Sequence, residues 1–178
     1  MQTVEVQGKT FEISITSNEI ESKVQELQNQ IHQDYKDKTP VFIGILNGSF
    51  IFMSDLVKGY PGNCEMDFIK VSSYEGMDST GKVQNLMGLK NDISGRDVIL
   101  VEDIIDTGLT LKATIEKIEN LNPSSISIVS LLFKPEKCQV DLKIDYCGFE
   151  IPNEFVIGYG LDFDGLVRNL KHIYRLKQ

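Results

Sequence analysis

The chain has 178 residues, with 18 Lys plus Arg against 26 Asp plus Glu and a formal net charge of −8. That length fits one domain over residues 1–178, and the negative charge argues against non-specific nucleic-acid binding and against a basic membrane-surface patch. The composition, 41% hydrophobic and 25% charged, is that of a folded chain, and no apolar run is long enough to cross a bilayer.

Met1-Gln2-Thr3-Val4-Glu5 has no basic segment leading into an apolar one, so no secretory signal is expected. Cys64, Cys138 and Cys147 form no C-x-x-C pair and read as reduced thiols in the cytoplasm. His32 and His172 lack metal-ligand spacing and read as surface or helix-packing residues.

In chain order, Thr3–Val6 and Thr10–Ile15 alternate apolar and polar, which predicts a hairpin turning at Gly8-Lys9. Thr16-Ser17-Asn18-Glu19 is a capping-box pattern. Ile20, Val24, Leu27, Ile31 and Tyr35 then recur at helical spacing, so a helix is expected over Ser17–Tyr35. Val41–Leu46 is a short continuous apolar run, as in a strand buried on both faces. Ser49–Lys58 reads as a helix and Met66–Val71 as a strand. Ser72 to Gly81 is small, polar and glycine-bearing, the composition of a loop that covers a site.

Asp97–Glu102 is a second buried strand, expected to end in its carboxylate, with Asp103–Gly108 as a loop. Leu111, Ile115, Ile118 and Leu121 mark a helix stopped before Pro123. Ser125–Phe133 and Phe155–Gly160 read as strands, and about Leu166–Tyr174 as short helix and strand or coil. The connection from Pro135 to Glu154 is expected in a small flap or hood on one edge. Alternating strands and helices predict an α/β fold, a mostly parallel sheet flanked by helices.

Chemistry concentrates in Val101-Glu102-Asp103-Ile104-Ile105-Asp106-Thr107-Gly108-Leu109-Thr110. Three carboxylates fall within five residues at the carboxyl end of an apolar strand, where parallel sheets bind ligands. Thr107, Gly108 and Thr110 then open a helix, and Gly108 lets backbone N–H groups converge into an anion cradle. Acids beside a phosphate cradle suit a sugar phosphate. Each element alone is common; their combination is specific.

This segment resembles the phosphoribosyl pyrophosphate motif of the type I phosphoribosyltransferases, and in particular of the hypoxanthine (hypoxanthine-guanine) phosphoribosyltransferase family. Leu46-Asn47-Gly48-Ser49-Phe50-Ile51-Phe52 resembles that family's pyrophosphate-binding turn. Ser72-Ser73-Tyr74 through Ser79-Thr80-Gly81 resembles its mobile catalytic loop. Ser130–Lys134 and Gly148 to Asp162 resemble its purine-binding hood, which the family builds from N- and C-terminal segments. The resemblance runs over nearly the whole chain in the family's order. One position departs from it: Asn47 stands where the family usually carries a lysine, in a turn that in the family includes a cis peptide before its middle residue.

The resemblance implies transfer of a 5-phosphoribosyl group from phosphoribosyl pyrophosphate to N9 of hypoxanthine or guanine, giving IMP or GMP and pyrophosphate, in purine salvage. It implies that Leu46, Asn47 and Gly48 meet the pyrophosphate, with Arg168 near it. Glu102 and Asp103 would hold the ribose hydroxyls, and Glu102, Asp103 and Asp162 would serve Mg²⁺, directly or through water. Asp106 would be the general base at N7, or else only orient the purine, and Asp106, Thr107, Gly108, Leu109 and Thr110 would cradle the 5′-phosphate. Lys134 would meet the 6-oxo group, Phe155 would stack on the ring, and the backbones of Val156 and Asp162 would read its edge. Ser73 and Tyr74 would close over the reaction. A cytoplasmic homodimer or homotetramer is the implied assembly. Two other readings compete. One is a regulator of this fold that senses nucleotides and binds RNA or protein; the negative charge counts against RNA. The other is a phospho-accepting receiver domain, which the Thr-Gly-x-Thr turn fits poorly.

Overall fold

The computed structural model describes residues 3–71, 86–89 and 92–177. The chain opens with a hairpin of β1 (Thr3–Val6) and β2 (Lys9–Ile15). Its turn is Gln7-Gly8, one residue earlier than Gly8-Lys9. Both turn residues have positive φ, 48° and 75°, the twist that a two-residue hairpin loop shares with its strands. The following helix, α1 (Ser17–Tyr35), has the expected bounds. The Thr16 backbone N–H donates to Glu19 Oε2 at 2.8 Å, while the Glu19 N–H donates to Thr16 Oγ1 at 3.3 Å. Two backbone donors that a helix start leaves over are thereby satisfied.

The main sheet holds β3 (Val41–Leu46), β4 (Glu65–Val71), β5 (Leu86–Met87), β6 (Asp97–Ile105), β7 (Ser125–Phe133) and β8 (Tyr146–Glu150), in the order β5-β4-β3-β6-β7-β8. The last five in that row are parallel and β5 is antiparallel to β4. On one face α1 and α2 (Phe50–Lys58) bury Ile20, Leu27, Phe52 and Leu56 against Phe42, Ile99 and Val101. On the other, α3 (Leu109–Glu119) buries Leu111 and Ile118 against Val98, Leu100 and Ile128. Burial on both faces explains why β3 and β6 read as continuous apolar runs. Each such side chain removed from water contributes about 1.5–3 kcal/mol.

Three expectations need correction. First, β6 does not stop at Glu102: Ile104 and Ile105 pair with Leu132 and Phe133 of β7. Glu102 and Asp103 are therefore strand residues, and the loop begins at Asp106. Second, the 135–154 connection contains β8, which belongs to the main sheet, beside β7. Gly148 makes that pairing possible, because a Cβ there would overlap the Leu131 carbonyl oxygen. Third, only β9 (Val156–Ile157) forms a strand within Phe155–Gly160. Positive φ at Gly158, Tyr159 and Gly160 (92°, 49° and 102°) turns the chain away.

β9 joins β1, β2 and β10 (Ile173–Leu176) in a second, antiparallel sheet of order β1-β2-β10-β9, with Phe11, Ile157 and Tyr174 buried beneath it. No helix forms over residues 166–172. This sheet forms a hood, whose Tyr159 hydroxyl donates to Asp55 Oδ2 on α2 at 2.8 Å.

Candidate active site

The site forms where β3 and β6 end. Ser49 is fully buried behind the β3 turn, with its hydroxyl donating to the Ile45 carbonyl at 2.6 Å. The preceding Leu46–Asn47 peptide bond is cis. Asn47 is exposed and Gly48 half-buried. A Cβ at Gly48 would overlap the Asp103 carboxylate, and one at Gly160 would overlap the Gly48 carbonyl oxygen. The turn is thus clasped between the acidic strand and the hood, and only glycines allow that approach.

Glu102 and Asp103 point to opposite sides, as successive strand residues do. Glu102 is buried and lines a small cavity of about 100 Å³ with Asp106, Thr107, Gly108 and Thr110. That is roughly the liquid volume of three waters, at ~30 Å³ each, room for a compact oxyanion. Gly108, at φ +77°, caps α3 without any side-chain hydrogen bond. Apart from a 3.5 Å bond from the Leu109 N–H to Thr107 Oγ1, the helix start can offer its backbone donors and partial positive charge to an anion. Burial raises the Glu102 carboxyl well above its ordinary pKa, and the Asp103 charge adds to this.

Asp103 instead faces the Gly48 turn. Burial raises its carboxyl to about 6, opposed by backbone N–H bonds and by the Arg168 charge. Arg168 bonds Asp162 Oδ1 at 2.7 Å through Nη2 and the Gly160 carbonyl at 2.7 Å through Nη1. Asp162 also accepts the Gly165 N–H at 2.7 Å. Among the described residues no three His, Cys, Asp or Glu side chains are placed to grip a metal ion. Glu102, Asp103 and Asp162 are accordingly not gathered into one ligand set.

Asp106 leads the turn. Its Oδ2 accepts a 2.7 Å bond from Lys137, and its Oδ1 lies 3.9 Å from the Lys134 ammonium, buried and without a hydrogen-bond partner among the described residues. Lys134 is buried; desolvation lowers its pKa, and the Asp106 charge opposes that. Lys137 is a site neighbour that the sequence reading missed. The signal was present in Lys134-Pro135-Glu136-Lys137: the Lys137 N–H bonds the Lys134 carbonyl at 3.1 Å, a turn that returns the second ammonium to the first.

Phe155 is exposed, 5.5 Å from the Phe163 ring and 6.2 Å from Phe11, while Val156 is buried in β9. Leu109 and Thr110 are exposed at the α3 start. Ser73 and Tyr74 lie outside the described residues.

A family model for the phosphoribosyl transferase domain matches residues 14–164. A hypoxanthine-guanine phosphoribosyltransferase of Dictyostelium discoideum is 45% identical over 172 residues, covering 94% of this chain and 96% of that one. Its counterpart in Staphylococcus aureus (strain Mu50) is 44% identical over 167 residues, 93% of each chain. The crystal structure of a Bacillus anthracis hypoxanthine-guanine phosphoribosyltransferase superposes with a TM-score of 0.88 at 40% identity, over 94% of this chain and 97% of that one. The family model spans the acidic strand and the α3 start, the relatives are matched over more than nine-tenths of this chain, and the chain belongs to the hypoxanthine-guanine phosphoribosyltransferase family.

Proposed function

We propose that the chain transfers the 5-phosphoribosyl group of phosphoribosyl pyrophosphate to N9 of hypoxanthine or guanine, releasing pyrophosphate and forming IMP or GMP. The observation that carries this reading is the adjacency of Asp106 and Lys134. A carboxylate oxygen without a hydrogen-bond partner among the described residues and an ammonium stand side by side, as acceptor and donor for the N7–H and 6-oxo groups that share one purine edge. The named relatives place the same activity on the same fold.

In this reading the 5′-phosphate occupies the cavity under Gly108, against the α3 N-terminus. The pyrophosphate lies along the Leu46-Asn47-Gly48 turn, near Arg168. Glu102 and Asp103 are assigned to the ribose hydroxyls. As N9 attacks, the bond from C1′ to the pyrophosphate oxygen breaks and the ribose gains oxocarbenium character, which nearby carboxylates stabilise. Asp106 takes the N7 proton. Phe155 offers an exposed ring face for stacking on the purine. Ser73 and Tyr74 are assigned to closure over the reaction, which keeps water from the activated sugar.

Mg²⁺ is the proposed cofactor, and the donor chemistry fits it in one form. Hard carboxylate oxygens are present without a protein cage, so substrate oxygens and water would supply most ligands. When bound, it would offset the charge gathering on the leaving pyrophosphate. The proposed setting is a cytoplasmic homodimer or homotetramer without a nucleic-acid partner. No described helix is long and apolar enough to cross a membrane.

Purified protein with hypoxanthine, phosphoribosyl pyrophosphate and Mg²⁺ tests the reading. IMP formation is expected; no nucleotide at saturating substrate would favour the nucleotide-sensing regulator.

A further inference from the structure

We infer that Lys137 is a positioning residue that holds Asp106 by one oxygen so that the other is presented to the purine. This deepens the function proposed above and rests on it.

The argument starts from the two oxygens of a single carboxylate. Oδ2 is taken by Lys137 at 2.7 Å, a charge-assisted bond between two half-buried side chains. Oδ1 is buried and has no hydrogen-bond partner among the described residues. A carboxylate oxygen left this way is costly, and a native structure keeps one where a ligand completes it. Lys134, 3.9 Å away, is too far for a hydrogen bond. It nevertheless stabilises the charge and stands where the neighbouring purine oxygen would fall.

Fixing Oδ2 fixes the carboxylate plane and leaves Oδ1 as the acceptor for N7–H. Lys137 is itself held by the chain. Its N–H bonds the Lys134 carbonyl at 3.1 Å, and two residues on, the Gln139 N–H bonds the Thr107 carbonyl at 3.0 Å. The strap carrying both lysines is therefore laced to the turn that Asp106 begins. Lys137 needs no contact with substrate in this role; it acts through Asp106.

The test compares steady-state kinetics of the wild type, K137M, K137R and D106N, and the K137M D106N double variant, with thermal melts to confirm folding. Misaiming an acceptor by about 1 Å costs up to about 100-fold. K137M should therefore lose about 10- to 100-fold in kcat, with KM for the purine and for phosphoribosyl pyrophosphate within about threefold. K137R, which can still donate to Oδ2, should keep kcat within about threefold. On the D106N background K137M should cost under about threefold more, because the two residues act as a unit. Three outcomes would overturn the inference: K137M with unimpaired kcat, a loss confined to KM for phosphoribosyl pyrophosphate, or an equal loss with and without Asp106. The wild type is read first. A wild type that makes no nucleotide overturns the parent reading; an active wild type with unimpaired K137M overturns only the role of Lys137.

Discussion

Gly48 and Asp103 stand so close that the glycine's missing side chain is occupied by the aspartate's carboxylate. The turn that ends β3 and the acid near the end of β6 therefore share one space, and G48A should damage the site more than the fold. The methyl group meets the mobile end of a side chain, so the stability cost should stay near 1–2 kcal/mol. Turning Asp103 aside should lower kcat/KM by about 100-fold. Kinetics and a urea melt on one preparation check this. G160A makes the contrast. Its methyl group meets the Gly48 backbone carbonyl at φ +102°, which cannot yield, so it should cost about 2–4 kcal/mol.

The buried acids should tax stability at neutral pH. The folded-state pKa of Asp103 is raised to about 6 from an ordinary 3.8, by burial. An acid raised in this way is neutral in both states below the unfolded value. It loses stability as pH rises through the folded value, where the native state must carry the buried charge. D103N should therefore be more stable than the wild type at pH 7, by about 1–3 kcal/mol. That advantage should shrink from pH 6 downward and vanish near the unfolded value. E102Q should follow the same sign, since burial raises Glu102 as well. Urea unfolding across this range measures it; an advantage constant with pH would show that charge burial is not its cause.

The sequence made much of this legible, for physical reasons. The α1 start follows from Thr16 and Glu19, each of which bonds the other's backbone N–H in a capping box. β3 keeps its expected bounds because two-sided burial needs an unbroken apolar run, and β7 also spans Ser125–Phe133 as expected although Ser127 and Ser130 interrupt its apolar residues. The extension of β6 past Glu102 was hidden because acids read as a strand end, whereas pairing to Leu132 and Phe133 continues the ladder. β8 was hidden because Tyr146-Cys147-Gly148-Phe149-Glu150 lacks the apolar density of a central strand. As an edge strand it buries chiefly Tyr146. Lys137 was missed because a lysine two residues past a proline reads as surface: Lys134-Pro135-Glu136-Lys137 signals a turn, but the fold is needed to place Asp106 beside it.

The hood's attachment to α2 should be measurable. Tyr159 is 7% exposed and donates to Asp55 Oδ2 at 2.8 Å. Burial raises its hydroxyl well above the ordinary tyrosine value, as does the Asp55 bond, so it stays a donor at every working pH. Y159F should lose about 1 kcal/mol. Because Asp55 reaches solvent at 38% side-chain exposure, water can replace the lost donor and the loss should stay modest. A loss above about 3 kcal/mol would mean that the aspartate is stranded.

Lys134 should set purine choice. A buried ammonium favours a 6-oxo acceptor over a 6-amino donor, because the amino group would leave two donors facing each other. Wild type should use hypoxanthine and guanine over adenine, and K134M should narrow that preference by at least about tenfold, chiefly through slower hypoxanthine turnover. Competition between the bases in one assay reads the ratio directly. Equal use of adenine by the wild type would remove the role.

D106N separates binding from proton transfer, because an amide keeps the shape and loses the basicity. Its carbonyl oxygen can still accept from Lys137, as Oδ2 does at 2.7 Å. That choice turns the NH₂ toward Lys134 and the purine edge. An NH₂ repels the N7–H of the entering base but suits N7 of the finished nucleotide, which carries no proton. D106N should therefore bind IMP about as tightly as the wild type, while kcat falls by about 100- to 1,000-fold. Calorimetry of IMP binding and single-turnover rates give the two halves. Unchanged turnover would remove Asp106 as the base, and IMP binding lost in step with rate would reduce it to an orienting group.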